Sequence, residues 1–274
     1  MKNGLILCFI LNTFLVSQGI TQELDSLQDS TKIESSNYLV LSTGYLSRAN
    51  FMSRDFGQKI PLSSTELLFW HHSGIYLTAI ASKFVDPALS WQNGMGLGYS
   101  TSLSPKVDVD LSYHHFFGAS NLNSSGKDQI GILKGTWGLD WGILYSSTQA
   151  IYLVNDPGDF FLVSRHSRYF ELDRRIGGVA VFSFEPQATF FLGTSNYYRI
   201  GGYELSQKEY SATRNFLLQG MDFSIPLTLN SGSFEFQLEP KWVLPVQVPQ
   251  YDVSSSNFQL ALKATYTFAL RKKP

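Results

Sequence analysis

The chain has 274 residues, with 21 Lys and Arg against 22 Asp and Glu, and its net charge of −1 excludes the basic surface of a nucleic-acid binder. Its single cysteine, Cys8, lies so near the start that the body of the chain has no disulfide framework, thiolate metal site or cysteine nucleophile. Aromatic residues make up 15% and charged residues only 16%, against the usual quarter. A soluble β protein of this size carries more surface charge, whereas a barrel in lipid replaces that charge with apolar and aromatic side chains.

Met1-Lys2-Asn3, an apolar run from Gly4 to Val16 and then Ser17-Gln18-Gly19 predict a secretory signal peptide over residues 1–19. A transmembrane anchor needs about 18 apolar residues, and Asn12-Thr13 break this run. Residues 20–37 are polar and poor in aromatics, and read as a flexible periplasmic lead-in.

From there the pattern turns to period two. The clearest case is 106–117, KVDVDLSYHHFF, where Val107, Val109, Leu111, Tyr113, His115 and Phe117 share one face. Strands are predicted at 38–47, 64–72, 74–84, 92–101, 106–117, 127–135, 138–150, 159–172, 179–194, 215–227, 233–244 and 255–268. The links after even strands are tight, as at Ser73-Gly74, Ser104-Pro105, Thr136-Trp137 and Asn230-Ser231-Gly232, while those after odd strands are longer. Outer-membrane barrels sort their connections this way, and an even count leaves both termini periplasmic. The fold class is therefore an all-β, transmembrane, antiparallel up-and-down barrel over 38–268, of about twelve strands with ten as the alternative, followed by a basic tail at 269–274. Trp70, Trp137 and Trp141 fall near the turn ends and Trp91, Tyr197 and Tyr198 near the loop ends, where aromatic girdles belong. Pro186, Pro226 and Pro240 lie inside predicted strands, and each demands a bulge or a shifted boundary.

The signal peptide, the alternation, the loop sorting and a last strand ending Tyr266-Thr267-Phe268 together resemble the twelve-stranded outer-membrane β-barrels of Gram-negative bacteria. The opening LSTGYLSRANFMSRDFG also resembles porin-like barrels that begin with a Gly-Tyr-x-Ser-Arg strand. The resemblance implies contact with outer-membrane lipid and lipopolysaccharide, and handling by the barrel-assembly machinery. The six residues after Phe268 depart from the terminal-aromatic signal that such barrels show to that machinery.

On the predicted register Lys106, Asp108, Asp110 and His114 face the lumen, as do Glu235, Glu239, Lys241 and Lys263. These charges could line a selective pore for small solutes, or pair with one another and fill a closed interior. No catalytic residue, metal site or cofactor is assigned. His71-His72, His114-His115 and His166 lack zinc-site spacing, and no phosphate-binding glycine loop is present. A porin-like passive channel is the leading expectation. A sealed barrel acting through loops 48–63 and 197–214 is the alternative. A lipid-modifying enzyme using His114 or His115 with Ser120-Asn121 comes third.

Overall fold

A computed structural model describes residues 36–86, 91–117, 129–154, 157–172, 175–177, 179–200 and 203–270. The expected signal peptide, nearly all of the lead-in, Ser120-Asn121 and residues 271–274 lie outside them. Seven strands come first: β1 Asn37–Leu46, β2 Leu62–Trp70, β3 Ile75–Phe84, β4 Gln92–Ser104, β5 Val107–Phe117, β6 Gln129–Asp140 and β7 Tyr145–Val154. The next three are each interrupted. They are β8 (Asp159–Ser167 and Phe170–Glu171), β9 (Val181–Phe184 and Gln187–Gly193) and β10 (Leu217–Ser224 and Leu227–Ser231). β11 spans Phe234–Pro245 and β12 spans Asn257–Leu270. Every strand pairs antiparallel with its neighbours in sequence, and β12 closes the ring on β1, with Asn37 opposite Leu270. The chain is thus a closed twelve-stranded antiparallel β-barrel, which leaves no sheet edge unpaired. Pairing through Leu270 carries the last strand past Phe268, into residues expected to be tail.

Alternation sorts the side chains as a lipid-embedded barrel requires. On β5, Leu111 and Tyr113 are exposed while Asp110, Ser112, His114 and Phe116 are buried. On β12, Phe258, Leu260, Leu262 and Phe268 point out and Asn257, Gln259 and Thr265 point in. No helix among the described residues is long and apolar enough to cross a membrane; the crossing elements are strands.

Two expectations need correcting. The β6–β7 turn lies at 141–144, beyond the expected Thr136-Trp137, because Gly135 and Gly138 are strand residues and not turn formers. Trp70 does not join a girdle: it is buried on the lumen face, stacked on Tyr76 at 5.6 Å and 9°. Trp91, Trp137 and Trp141 do face outward.

The three prolines neither shift the register nor make bulges. Ser183 pairs with Glu171 before Pro186 and Gln187 pairs with Ser167 after it, so the interruption is two residues long on each strand. Each proline carbonyl still accepts an N–H from the preceding strand: Arg168 N to Pro186 O (3.2 Å), Glu185 N to Pro226 O (3.0 Å) and Ile225 N to Pro240 O (3.1 Å). Proline removes only the return bond, so three adjacent strands share one oblique row of half-made ladder bonds.

Two short helices, α1 Tyr197–Ile200 and α2 Gln207–Ala212, lie between β9 and β10. α2 is set by a capping box, with Ser206 Oγ accepting from Glu209 N and the Glu209 carboxylate accepting from Ser206 N.

Candidate functional site

The candidate site is the lumen. The middle level rests on a glycine row of β4. Gly94, Gly96 and Gly98 all face inward, and Phe116, His114 and Tyr76 lie flat against them. A Cβ on Gly96 would meet His114 Nδ1 and Thr78 Oγ1 at 2.4 Å, and one on Gly98 would meet Tyr76 Cζ at 2.1 Å. These glycines are thus required by close approach. Tyr76 donates its hydroxyl to Asp110 Oδ2 at 2.6 Å, and Lys134 Nζ stands 3.9 Å from Asp110 Oδ1. Side chains of that ion pair are 3% and 4% exposed, so the wall built by β2–β6 is filled rather than water-lined here.

The loop-end level is occupied by residues 47–61, where the sequence predicts a polar surface loop over 48–63. They turn inward instead. Phe51, Met52, Ser53, Arg54, Asp55 and Phe56 are all buried. Phe51 meets Phe161 and Tyr197 edge-on at 5.3 and 5.2 Å, and Phe56 meets Tyr198 at 5.7 Å. Tyr197 and Tyr198, expected in a girdle, are therefore buried in the mouth of the barrel. Polar contacts fasten the loop to β10, to β12 and to the segment that precedes β12. Ser53 donates to Asp222 Oδ1 at 2.7 Å, and Asn50 donates to Gln259 Oε1 at 2.8 Å. Ser254 Oγ accepts from Asp55 N and Phe56 N, and donates to Asp252 Oδ1. Arg48 pairs with Asp55 at 3.0 Å. Arg54, 1% exposed, reaches Val246 O at 2.5 Å and lies 3.9 Å from Asp252, which also accepts the Tyr198 hydroxyl at 2.5 Å.

The loop's backbone is strained. Met52, Ser53 and Phe56 have φ of 46°, 62° and 51°. Each such residue costs about 1–2 kcal/mol, and burying a phenylalanine or methionine side chain returns about 1.5–3 kcal/mol. The two effects are of one size, so the polar latch decides whether the loop stays in. Gly57 (φ 71°) ends the turn against Val253 with no room for a Cβ.

Along β11 and β12 the charged lining is half-buried instead of buried. Glu235, Glu239, Lys241 and Lys263 face inward on these strands, and Lys241 Nζ pairs with Glu239 at 3.2 Å, the two side chains 26% and 18% exposed; Lys241 stands opposite Gln259, to which Asn50 of the loop donates. Asp108 is held by Ser102 Oγ at 2.7 Å on the rim. Lys106 is an exposed turn residue outside β5, so it does not line the lumen. His114 is buried on the lumen face, while His115 lies between Tyr113 and Gln129 on the outer wall, at 3.1 and 3.0 Å. The strand therefore splits the two histidines that the enzyme expectation placed together.

Sequence reasoning passed over Arg54, Ser53, Asp222 and Asp252. A signal was there: Phe51, Met52 and Phe56 are apolar in a loop otherwise read as solvated.

No family model and no curated protein matches the chain. Solved structures do. The KdgM porin aligns with TM-score 0.50 at 9% identity, over 84% of this chain and 99% of that one. LpxR from Salmonella typhimurium gives 0.50 at 8% identity, over 84% and 100%. The COG4313 outer membrane channel from Pseudomonas putida F1 gives 0.46 at 11%, over 85% and 96%. The two likenesses at TM-score 0.50 show the β-barrel fold and, at these identities, no more.

Proposed function

We propose that the protein is an outer-membrane channel for small solutes, with both termini periplasmic, and that the inward-folded loop 47–61 closes it. The observation that carries this reading is the nature of what fills the mouth. It is not a run of core strand residues but one loop with three strained residues, held by the pair Arg54–Asp252 and by the bonds of Ser53 to Asp222 and Asn50 to Gln259. Three of the four non-glycine residues with left-handed backbone among the described residues fall in this loop, and such clustering of strain is characteristic of switch regions. Beneath and beside it the interior is polar, and Glu235, Glu239, Lys241 and Lys263 on β11 and β12 are only partly buried. The porin named among the structural neighbours is consistent with this assignment. Charges at close quarters would then set ion preference once the loop withdraws.

The test is single-channel recording of the refolded barrel beside a variant in which residues 50–56 are replaced by a Gly-Ser linker. Rare openings of the native protein and steady openings of the variant are expected, with ion selectivity altered by Glu239→Gln. Silence from both, in protein shown to be folded and inserted, would instead favour a sealed barrel, a reading to which the aromatic packing of Phe51, Phe56, Tyr197 and Tyr198 lends weight.

A further inference from the structure

The outer wall of β7 and β8 carries a hydrogen-bonded chain that the lumen does not use. Ser147, Gln149, Ile151 and Leu153 are the buried, inward residues of β7. Ser146 and Thr148 therefore share the outer face with the exposed Tyr152. On β8 the inward residues are Asp159, Phe161, Val163 and Ser167, which puts Ser164 and His166 outside with the exposed Phe160. Ser146 and His166 are direct cross-strand partners. Ser146 Oγ lies 2.9 Å from His166 Nδ1, and Ser164 Oγ lies 3.2 Å from His166 Nε2. Trp141 Nε1 donates to Ser146 Oγ at 3.1 Å. All of these groups are half-buried or exposed on a face that elsewhere presents Leu, Phe and Tyr.

We propose that Ser146, His166 and Trp141 form an acyl-transfer centre, positioned by Ser164, for the ester bond of a membrane lipid. The geometry supplies each part that such chemistry needs. If the Nε2–H of His166 donates to Ser164, the Nδ1 lone pair points at the Ser146 hydroxyl. In the first step Oγ forms a bond to the ester carbonyl carbon and its proton passes to Nδ1. The bond from that carbon to the leaving alcohol oxygen then breaks, and the alcohol leaves with the proton. Water, entering in the same way, hydrolyses the acyl-serine and restores both residues. The Trp141 indole N–H, already on Oγ, is within reach of the oxygen that gains negative charge. The hairpin 141–144 is tied down by Arg168, whose guanidinium donates to Gly142 O, and this fixes the indole. Indole rings, a cation and half-exposed hydroxyls at one height mark the interfacial level where lipid ester groups lie.

The experiment uses the refolded full barrel in mixed micelles with a fluorophosphonate probe and, separately, a diacyl phosphatidylglycerol. The native protein is expected to take up the probe and release fatty acid, and Ser146→Ala to abolish both. His166→Gln is expected to lower the hydrolysis rate by about 10²-fold or more, the contribution of a general base. Ser164→Ala is expected to lower kcat with little change in KM and to displace the pH profile, which a merely structural serine would not do. Folded native barrel that neither takes up probe nor cleaves lipid would overturn the proposal, as would labelling that survives Ser146→Ala. Cold mobility of the folded barrel on gels separates either result from misfolding.

Discussion

Arg54→Met tests the latch most directly. The methionine keeps an apolar stem of similar length in the packed mouth while removing the guanidinium. What is lost is the contact with Asp252 and the bond to Val246 O, both at a side chain only 1% exposed. Removing one partner of a buried ion pair costs about 3–5 kcal/mol, because the other charge is left behind. Here the low end applies, since Asp252 keeps the Tyr198 hydroxyl, Ser254 N and Ser254 Oγ as donors. A change of about 3 kcal/mol in the closed state alone raises the ratio of open to closed barrel roughly 100-fold. Planar-bilayer recording should then find frequent openings where the native protein shows few. The double variant Arg54→Met/Asp252→Asn should close again in part, because the stranded carboxylate is gone and an amide oxygen still accepts from Tyr198. A folded, inserted Arg54→Met barrel with native open probability would refute the argument that this pair holds the loop.

Three further expectations follow from the interior. Gly98→Ala should destabilise by about 1–3 kcal/mol, the usual size of an overpacking penalty, since its Cβ meets a Tyr76 ring held by Asp110 and Trp70. Gly135→Ala, with nothing within 4 Å of the new Cβ, should be neutral or gain about 0.4–1 kcal/mol; urea unfolding followed by gel mobility measures both. Lys134→Met should destabilise by about 3–5 kcal/mol by stranding Asp110, and adding Asp110→Asn should restore most of the loss in the same assay. Alkali should loosen the mouth. Burial, then Glu209 and Asp252, push the Tyr251 phenol up to about 12, and burial is also the main cause raising Tyr197 and Tyr198. A raised phenol contributes stability in full below its unfolded value near 10, and that stability is lost as pH rises through the folded value. Open probability should therefore climb between about pH 10 and 12 and fall back on return to neutrality; a flat profile would show that these tyrosines do not couple to closure.

The barrel was legible because its signal is repeated. Alternation in β5, β11 and β12 fixes which face of each strand meets lipid, and a misjudged boundary in one strand does not disturb the others. Errors gathered where one residue type serves two purposes. Gly135 and Gly138 read as turn residues but sit inside β6, which moved the β6–β7 turn by several positions. Trp70 read as an interfacial aromatic but faces in, because a tryptophan at a strand end fits a girdle or a stack on Tyr76 equally well. The prolines read as threats to the strands. They are tolerated because Pro186, Pro226 and Pro240 fall in adjacent strands at matched heights, each still accepting a bond from its neighbour. No single strand's sequence reveals that matching; it exists only in the pairing.

The plug was the hardest part to see, for a reason that belongs to the architecture. In a soluble protein a segment that folds inward must be apolar, so composition separates loops from core. A membrane barrel inverts this, since its interior is polar and its exterior apolar. Residues 47–61 therefore carry the arginines, aspartate and serines of a solvated loop while burying them against Asp222, Asp252, Ser254 and Gln259. Their partners lie about 170 to 210 positions away in sequence, on β10, β12 and the loop between β11 and β12. What distinguishes the segment is not its polarity but the pairing of that polarity with Phe51, Met52 and Phe56 and a left-handed backbone at three non-glycine residues. A surface loop has no need to hold such a backbone against strain; one packed into a barrel mouth is held there by everything it touches.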